Sequence, residues 1–554
     1  MNTRKLFIFI FLITFATPAF AGRSWVEDFL ARYRPAVSSE SQAIAAFAQG
    51  GPVPLGINDL LHLMLENNLD ITVNSLPPQT AQFLINTFFQ PFDPTLRISA
   101  TASRNTTLGT SSLSGAPTLS VLSHTYSVGF GQTLLTGTSV GVNWLMTRSS
   151  SNNTFLLYNP AYSGSLQYSV SQHLLRDRSR DINARQIRVA QNNQKMSDIQ
   201  FEQQLIDLVS QAQNTYWDLV YAQEDIKVKA RSKDLAEKTL EENKIQADVG
   251  TMAPIDVVQA ESEAASREVD LITATYSETQ VEDQVKKLIT NHPDPGTVVS
   301  SLHPMDSVPL PSANDVMALQ EAIRYALENR PEMRLLDLQL KNAQIDVDYT
   351  ANHLKPILDI NASYTQNGTG GVKNVRAGGN NTPIIAVVPG GLGDALGQMF
   401  GYNFNGYAVG FTLQVPLSKR AISADHDRAL SAQRTSKAQA DATGQKIALE
   451  VRNALSQVEM SRAQITAAQK ARELTEQRLD AEQKKFELGV STIRFVLDEQ
   501  RNVAASQETE LQSTINYTKA LVQFDKAIGR TLKRNNIQIE QGQPKPASVA
   551  SVGN

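Results

Sequence analysis

From Ser179 to Asp248 the sequence contains neither proline nor glycine, and this stretch limits the possible folds more than any other feature. At about 1.5 Å per residue, one helix over this length would extend roughly 100 Å. An ordinary globular domain does not accommodate such a helix. We therefore expect it to pack within a helical tube or a coiled coil.

A heptad pattern predicts a second long helix, within residues 421–530, that supercoils against its neighbours. The seam is rich in Ala, Ser and Thr, which favours a helix packed into a wall over a two-stranded zipper. Its members are Ile447, Val451, Ala454, Val458, Ser461, Ile465, Ala468, Arg472, Thr475, Leu479, Glu482 and Phe486. A rougher version in the first half comprises Phe201, Leu205, Leu208, Ala212, Leu219 and Ile226.

Strict apolar–polar alternation marks four strands, over 96–103, 166–174, 358–365 and 407–417. This pattern is typical of a transmembrane β-barrel, although a half-buried soluble sheet shows the same alternation. The Gly- and Asn-rich segment 366–401 favours the barrel, because it is expected to be an extracellular loop. An extra strand pair over 126–134 and 139–146, joined at Thr136-Gly137, either enters the barrel wall or folds back as a ribbon, and its apolar face favours insertion.

The sequence is internally duplicated. Residues 59–68 align without gaps on 321–330, the strand after Pro94 aligns on the strand after Pro356, and Val249-Gly250 aligns on Leu488-Gly489. The predicted domains are a signal peptide (1–21), an N-terminal extension (22–56), a first repeat (57–310), a second repeat (311–534) and a disordered tail (535–554). Strands are expected at about 95–175 and 357–417, and long helices at about 179–290 and 421–530.

The first residues predict export. Arg4 and Lys5 precede an apolar run over 6–15, and Ala19 and Ala21 supply the small residues of a signal-peptidase site. An uncleaved membrane anchor is the alternative, but the apolar run is short for a span. The chain has no cysteine, which excludes a thiolate nucleophile, and suits an oxidising periplasm.

Signals for an enzyme, a cofactor or a metal are weak. Gly137-Thr138-Ser139-Val140-Gly141 matches G-x-S-x-G, but an alternating strand follows at once, so a hairpin turn is the better interpretation. The seven histidines never occur at metal-ligand spacing. A net charge of −4 on 554 residues argues against nucleic-acid binding. We expect no catalytic residue, cofactor, metal or nucleic-acid partner.

Two glycine-containing tips each connect a pair of long helices. A glycine after a helix can adopt the left-handed conformation, and a Thr or Ser ahead of the next helix can cap it. The tip residues are Gly250, Thr251, Met252, Ala253, Pro254, Ile255, Asp256, Gly489, Val490, Ser491, Thr492 and Ile493. Two plain helical hairpins would explain these residues equally well.

The duplicated plan, the two Gly turns and Val496-Leu497-Asp498 resemble TolC-type outer membrane efflux proteins over residues 57–534. The resemblance implies a mixed, mostly helical homotrimer, with a β-barrel in the outer membrane and a long α-barrel across the periplasm. It also implies that the tips dock on a periplasmic adaptor protein, which receives solutes from an inner-membrane pump. Asp248 and Asp498 match positions that narrow the aperture in this family, and Phe486 and Phe495 are further candidate gate residues. Phe495 replaces a second acidic position and Ser491 replaces a basic one, which leaves the gating mechanism open.

Two functional hypotheses follow. The first is a passive exit duct that contacts outer-membrane lipid and carries solutes from a tripartite efflux or type I secretion system to the exterior. The second is a periplasmic coiled-coil scaffold without a pore. An exported hydrolase would need a convergent polar site, which the sequence does not indicate.

Overall fold

The computed structural model describes residues 53–110, 115–291, 300–309, 311–312, 315–378 and 382–537. The predicted signal peptide, nearly all of the predicted N-terminal extension and residues 538–554 of the predicted tail lie outside the described residues.

In chain order the structure begins with β1 (Val53–Leu55), α1 (Ile57–Asn67), α2 (Leu69–Thr87), β2 (Thr95–Leu108), β3 (Thr118–Thr133), β4 (Thr138–Ser151), β5 (Tyr158–His173), α3 (Arg180–Asn183), α4 (Arg185–Asp248) and α5 (Pro254–Ile289). There follow β6 (Leu302–Pro304), α6 (Leu319–Asn329), α7 (Pro331–His353), β7 (Ile357–Arg376), β8 (Ile384–Val388), α8 (Leu392–Phe400), β9 (Phe404–Gln414), α9 (Arg420–Glu487), α10 (Ile493–Ile528) and α11 (Thr531–Arg534). The predicted class, mixed and mostly helical, is confirmed.

The chain divides into two compact units. The helical unit contains the described residues up to Ser75, Gln204–Asn329 and the described residues from Ile447 onward. The sheet unit contains 76–203 and 330–446, with all the long strands.

One sheet of seven strands dominates the sheet unit. Its order is β2-β3-β4-β5-β7, and every neighbouring pair is antiparallel. The long strand β7 pairs with β9 along its first half and with β8 near its end. The extra strand pair of the first repeat therefore forms β3 and β4 inside this sheet rather than a separate ribbon. The turn before β4 is the hairpin expected there, with Gly137 at φ 75°.

The register places apolar side chains together on one face of the sheet. Leu96 pairs with Phe130, Phe130 with Val142, and Val142 with Tyr168. Tyr168 in turn pairs with Tyr364, and Tyr364 with Tyr407, so one row of large apolar residues crosses six strands. Because side chains alternate along each strand, the residues between them share the opposite face, which is rich in Ser, Thr, Asn and Gly.

The expectation of an irregular loop over 366–401 is wrong. Strand β7 continues to Arg376, and β8 and α8 fold within the segment. The glycines allow α8 to lie against the sheet, because a Cβ at Gly368 would come within 1.9 Å of the Ala395 carbonyl oxygen. A Cβ at Gly370 would come within 2.3 Å of the Gly391 oxygen. The composition that suggested a loop is thus a requirement for close helix–sheet packing.

The heptad seam of α9 is buried from Ile447 to Ala468 and half-buried from Arg472 to Phe486. The first long helix is interrupted near its predicted start, because the short α3 ends at Asn183 and α4 begins at Arg185. Of its rougher seam, Phe201, Leu205, Ala212 and Leu219 are buried, whereas Leu208 and Ile226 are half-buried. None of the helices in the described ranges is both long and apolar enough to cross a membrane.

Within the helical unit, α4 and α10 run antiparallel, and polar contacts join them at regular intervals. Lys526 Nζ lies 2.7 Å from Asp207 Oδ1, and Lys519 pairs with Asp218. Nearer the end of α4, Lys229 pairs with Glu508, and the Gln500 amide donates to Thr239 Oγ1 at 3.2 Å. These pairs fix the register of the two helices.

Candidate functional site: the helical-hairpin tips

The first tip connects α4 to α5. Gly250 has φ 81°, in the left-handed region where a side chain is strained, although a Cβ there would touch nothing. The Thr251 amide donates to the Gln246 carbonyl at 2.9 Å, and the Thr251 hydroxyl donates to the same oxygen. This bond of the Schellman type closes the last turn of α4 and satisfies a carbonyl that would otherwise lack a partner.

The second tip repeats this geometry between α9 and α10. Gly489 has φ 74°, and the Val490 amide donates to the Lys485 carbonyl at 3.0 Å, the counterpart of the Thr251 bond. The glycine alignment between the two repeats therefore corresponds to the same helix-ending conformation.

Capping by Thr or Ser, expected from the sequence, is wrong at both tips. The N-cap of α5 is Ala253, which has no side-chain acceptor, and Pro254 at the first helical position has no amide hydrogen to satisfy. The N-cap of α10 is Thr492, whose side chain does not cap the helix. Ser491 instead donates its hydroxyl to Glu482 in α9. That hydrogen bond, followed by the contact with Lys485, lowers the pKa of Glu482.

Both tips lie at the same end of the helical unit. The contact between Thr239 and Gln500 joins the last part of α4 to the first part of α10. On α5, Glu263 Oε2 lies 3.0 Å from Arg501 Nε, and these two residues stand at similar distances from the starts of their helices. Helices α5 and α10 thus leave the tips side by side.

The four candidate gate residues occupy different environments. Asp248 is exposed at the end of α4. Phe486 packs, partly buried, against Ile493, Val496 and Leu497, so it helps to hold the second hairpin together. Phe495 is 56% exposed on the first turn of α10, and the Asp498 side chain is 41% exposed one turn further on.

Asp498 belongs to a chain of charges that the sequence analysis missed. Arg501 Nη2 lies 3.3 Å from Asp498 Oδ1, and the same guanidinium reaches Glu263 across the helix contact. Glu263 also accepts from Arg267 at 2.6 Å, and Arg267 reaches Asp270 at 3.1 Å. The spacing of three or four residues within α5 and α10 was visible in the sequence, but the Arg501–Glu263 link depends on the fold. The Asp498 carboxylate therefore has a guanidinium beside it.

A second polar cluster lies further along α4. Burial is the main cause that raises the pKa of Asp225, and Lys229, 3.9 Å away, opposes the shift. Burial also raises the pKa of Tyr221 to about 12. Lys229 connects this cluster to Glu508 on α10.

Exposed apolar side chains surround both tips. Val249, Ile255, Leu488 and Val490 are between 61% and 79% exposed. The tips combine fixed turns with an apolar surface, which is typical of a protein-docking site.

The structure contains two strand-and-helical-hairpin units, whose strands and tips expose apolar side chains. In sequence, residues 322–530 match the model of the family described as outer membrane efflux protein. The resemblance to TolC-type outer membrane efflux proteins is thereby confirmed, and the sequence match covers the second half of the chain. No curated protein matches the sequence significantly.

Solved structures of outer membrane channels share the fold over most of the chain. The outer-membrane channel OprN is 14% identical, with a TM-score of 0.60 over 88% of this chain and 92% of that one. The CmeC outer membrane channel of Campylobacter jejuni is 15% identical, with a TM-score of 0.59 over 88% and 90%. The open-state MtrE outer membrane channel of Neisseria gonorrhoeae is 19% identical, with a TM-score of 0.57 over 87% and 90%.

Proposed function

We propose that this chain forms the outer-membrane exit duct of a tripartite efflux or type I secretion system, through which solutes pass passively from the periplasmic pump assembly to the exterior. The match of residues 322–530 to the outer membrane efflux protein model supports the duct. The observation that carries the proposal is the two-faced sheet, which has an apolar exposed face, a face of small polar residues, and two free edges at β2 and β9.

A trimer would join these edges. Every residue of β2 and β9 is exposed in the single chain. Four of these residues have large apolar side chains that are 60% to 84% exposed, namely Leu96, Ile98, Tyr407 and Phe411. Pairing β2 of one copy with β9 of the next would close a β-barrel and satisfy both edges. The apolar face would then contact outer-membrane lipid, and the small polar face would line the pore.

The tips are the proposed docking surface for a periplasmic adaptor and, through it, an inner-membrane pump. Their exposed Val249, Ile255, Leu488 and Val490 offer apolar contact at defined turns. Asp248, Phe495 and Asp498 are the proposed aperture residues, with Phe486 in a supporting role behind them. The duct itself performs no chemistry, so no catalytic residue or cofactor is assigned.

Single-channel conductance in a planar bilayer tests this function on detergent-purified protein. We expect discrete, long-lived steps and cation selectivity. A protein that is extracted without detergent and gives no conductance as a folded monomer would overturn the duct and favour the periplasmic scaffold.

A matched pair of variants in β9 tests which face meets lipid. Phe411 lies on the apolar face and Thr412 on the opposite one. An Arg at the lipid face of a barrel costs about 2–4 kcal/mol at the bilayer midplane, whereas the lumen tolerates it. Phe411→Arg should therefore reduce the assembled trimer in the outer membrane, and Thr412→Arg should preserve it while changing ion selectivity. Equal assembly of both variants contradicts the assignment of faces.

A further inference from the structure

Two basic residues stand side by side in one row of the apolar face, far from the β3–β4 turn. One row links Ala102, His124, Arg148, Tyr162 and Gly370 across β2, β3, β4, β5 and β7. The row next to it, nearer the β3–β4 turn, contains the apolar residues Ala100, Tyr126 and Met146. The face therefore changes from apolar to basic within one step on β3 and β4.

A third basic side chain lies one row further along the same face, on the edge strand β2. Arg104 shares the face because it stands two residues beyond Ala102 on β2, diagonal to His124. It is exposed, and its Nε donates to Ser120 Oγ at 3.1 Å. Arg148 and His124 are half-buried, and Arg148 Nη1 lies 3.5 Å from His124 Nδ1. We call Arg104, His124 and Arg148 the basic row.

The charge of the basic row has no compensation along these four strands. Between Asp93 and Asp177 the sequence contains no Asp or Glu, whereas β2 and β4 supply Arg104 and Arg148. A guanidinium placed beside an apolar surface without a carboxylate partner favours an anion from outside the chain.

The height of the basic row matches a membrane boundary. The end of the sheet next to α3 is identified by Asn183, whose side-chain amide donates to the Leu135 carbonyl in the β3–β4 turn. Measured along β7, the rows of the apolar face run from that of Leu358 to that of Gly368, which is ten steps or about 33 Å along the strand. With a strand tilt of about 45° this becomes about 23 Å, close to the apolar band of roughly 25 Å in outer-membrane barrels. The basic row follows directly, on the side away from α3 and the β3–β4 turn.

Helix α8 limits the site to one part of the sheet. Ala395 and Met399 of α8 are fully buried, and the helix covers Gly368 and Gly370 of β7 and lies near Gly164 of β5 on this same face. The basic row lies on β2, β3 and β4, beside the strands that α8 contacts.

From this geometry we propose that Arg104, His124 and Arg148 bind the phosphate of an anionic lipid headgroup in the outer leaflet. The lipid's acyl chains would lie on the apolar face below, against residues such as Tyr126. Arg104 and Arg148 lie on β2 and β4, on either side of His124, and a guanidinium can donate two hydrogen bonds to a phosphate. The inference rests on the proposed duct, because it takes the apolar face as the lipid-facing one.

The test compares lipid binding by wild-type protein and by Arg104→Gln/Arg148→Gln. Trimers in nanodiscs of phosphatidylcholine, with or without diphosphoryl lipid A, are analysed by native mass spectrometry for retained lipid. Losing one charged hydrogen-bonding partner costs on the order of tenfold in affinity, so the double variant should bind diphosphoryl lipid A at least about tenfold more weakly. Arg97→Gln is the matched control, since Arg97 lies on the opposite face of β2.

Each outcome decides the proposal. Weaker retention of diphosphoryl lipid A by the double variant, with unchanged retention by Arg97→Gln, supports the proposal. If the double variant does not fold, the single variant Arg104→Gln should show an intermediate loss of retained lipid. Equal retention in all variants, or no preference of wild type for the phosphorylated lipid, overturns it. Displacement of the lipid by equimolar inorganic phosphate also overturns it, because the site would then take a free anion. Single-channel conductance of the same proteins separates the headgroup site from the exit duct. If the variants conduct normally and bind lipid as wild type does, the headgroup site is refuted and the duct is not.

Discussion

Replacing Arg501 by Gln should make the proposed aperture more cation-selective. The guanidinium lies 3.3 Å from Asp498 and 3.0 Å from Glu263, so it offsets carboxylate charge at the start of α10. The linked group of Asp498, Arg501, Glu263, Arg267 and Asp270 has three acidic and two basic members, a net charge of −1 per chain that becomes −2 in the variant.

The size of the effect follows from Coulomb's law with screening. For a cation passing about 8 Å from each added charge in water, the gain is about 0.5 kcal/mol per charge before screening. At about 0.1 M salt, screening over a Debye length of about 10 Å reduces three such gains together to roughly 0.7 kcal/mol. Cations should therefore be favoured, and anions disfavoured, by about threefold each.

The same change weakens the tie between α5 and α10. The Asp498–Arg501 pair is half exposed and contributes only about 0.2–1 kcal/mol. The contact with Glu263, which is 11% exposed, contributes more, although Arg267 continues to neutralise that carboxylate. We expect a modest rise in open probability together with the change in selectivity.

Reversal potentials measured in a salt gradient check the prediction. Asp498→Asn should lower cation selectivity, and Asp498→Asn/Arg501→Gln should return it close to wild type, because the net charge is restored. If Arg501→Gln conducts normally with unchanged selectivity, or if the double variant resembles Arg501→Gln alone, the charge reasoning is refuted.

Three further predictions concern the turns, the sheet and a buried acid. Gly489→Ala should cost about 1–2 kcal/mol locally and speed hydrogen exchange at the second tip, whereas Gly397→Ala within α8, where a Cβ meets open space, should be neutral or stabilising. Gly368→Ala should displace α8 and expose it to limited proteolysis, while Gly406→Ala should not. Burial raises the pKa of Asp225, so the folded protein binds a proton at this carboxylate more readily than the unfolded chain does, and the free energy of unfolding rises as the pH falls through that pKa. Asp225→Asn should therefore raise the unfolding temperature at pH 7 and lose this advantage in acid.

Contrary results are specific for each case. Unchanged exchange at Gly489→Ala would mean that the left-handed turn is not required. Equal proteolysis of the two sheet variants would remove the argument for close packing under α8. An Asp225→Asn protein that is less stable at pH 7 would mean that the contact with Lys229 outweighs the cost of burying the carboxylate.

Local periodicity made much of the fold predictable. Alternation along 358–365 located a strand and its faces, and steps of four and three located the α9 seam, which is buried from Ile447 to Ala468. The glycines of both tips were also identifiable, because a helix end that needs positive φ selects glycine.

Contacts between distant residues limited the rest. Gly368 and Gly370 look like loop residues until α8 is placed on them. Arg501 looks like a partner of Asp498 alone, and only the packing of α5 against α10 adds Glu263. The absence of a side-chain cap at Ala253 depends on which residue begins α5, and sequence patterns locate such boundaries poorly.

The ladder between α4 and α10 also has a mechanical consequence. Its three charged members on α4, Asp207, Asp218 and Lys229, are spaced by eleven residues, which is three turns of about 3.67 residues. A repeat of this period favours a slight right-handed winding, opposite to the left-handed winding of a heptad seam.

Sliding one helix along the other would break all three pairs. A shift of eleven residues, or about 16 Å, would bring Asp207 opposite Lys519 but Asp218 opposite Glu508, so it would restore one attractive pair and create one repulsive pair. Axial slip therefore loses charged pairs, which favours bending and rolling of the helices as the motions by which the tips move.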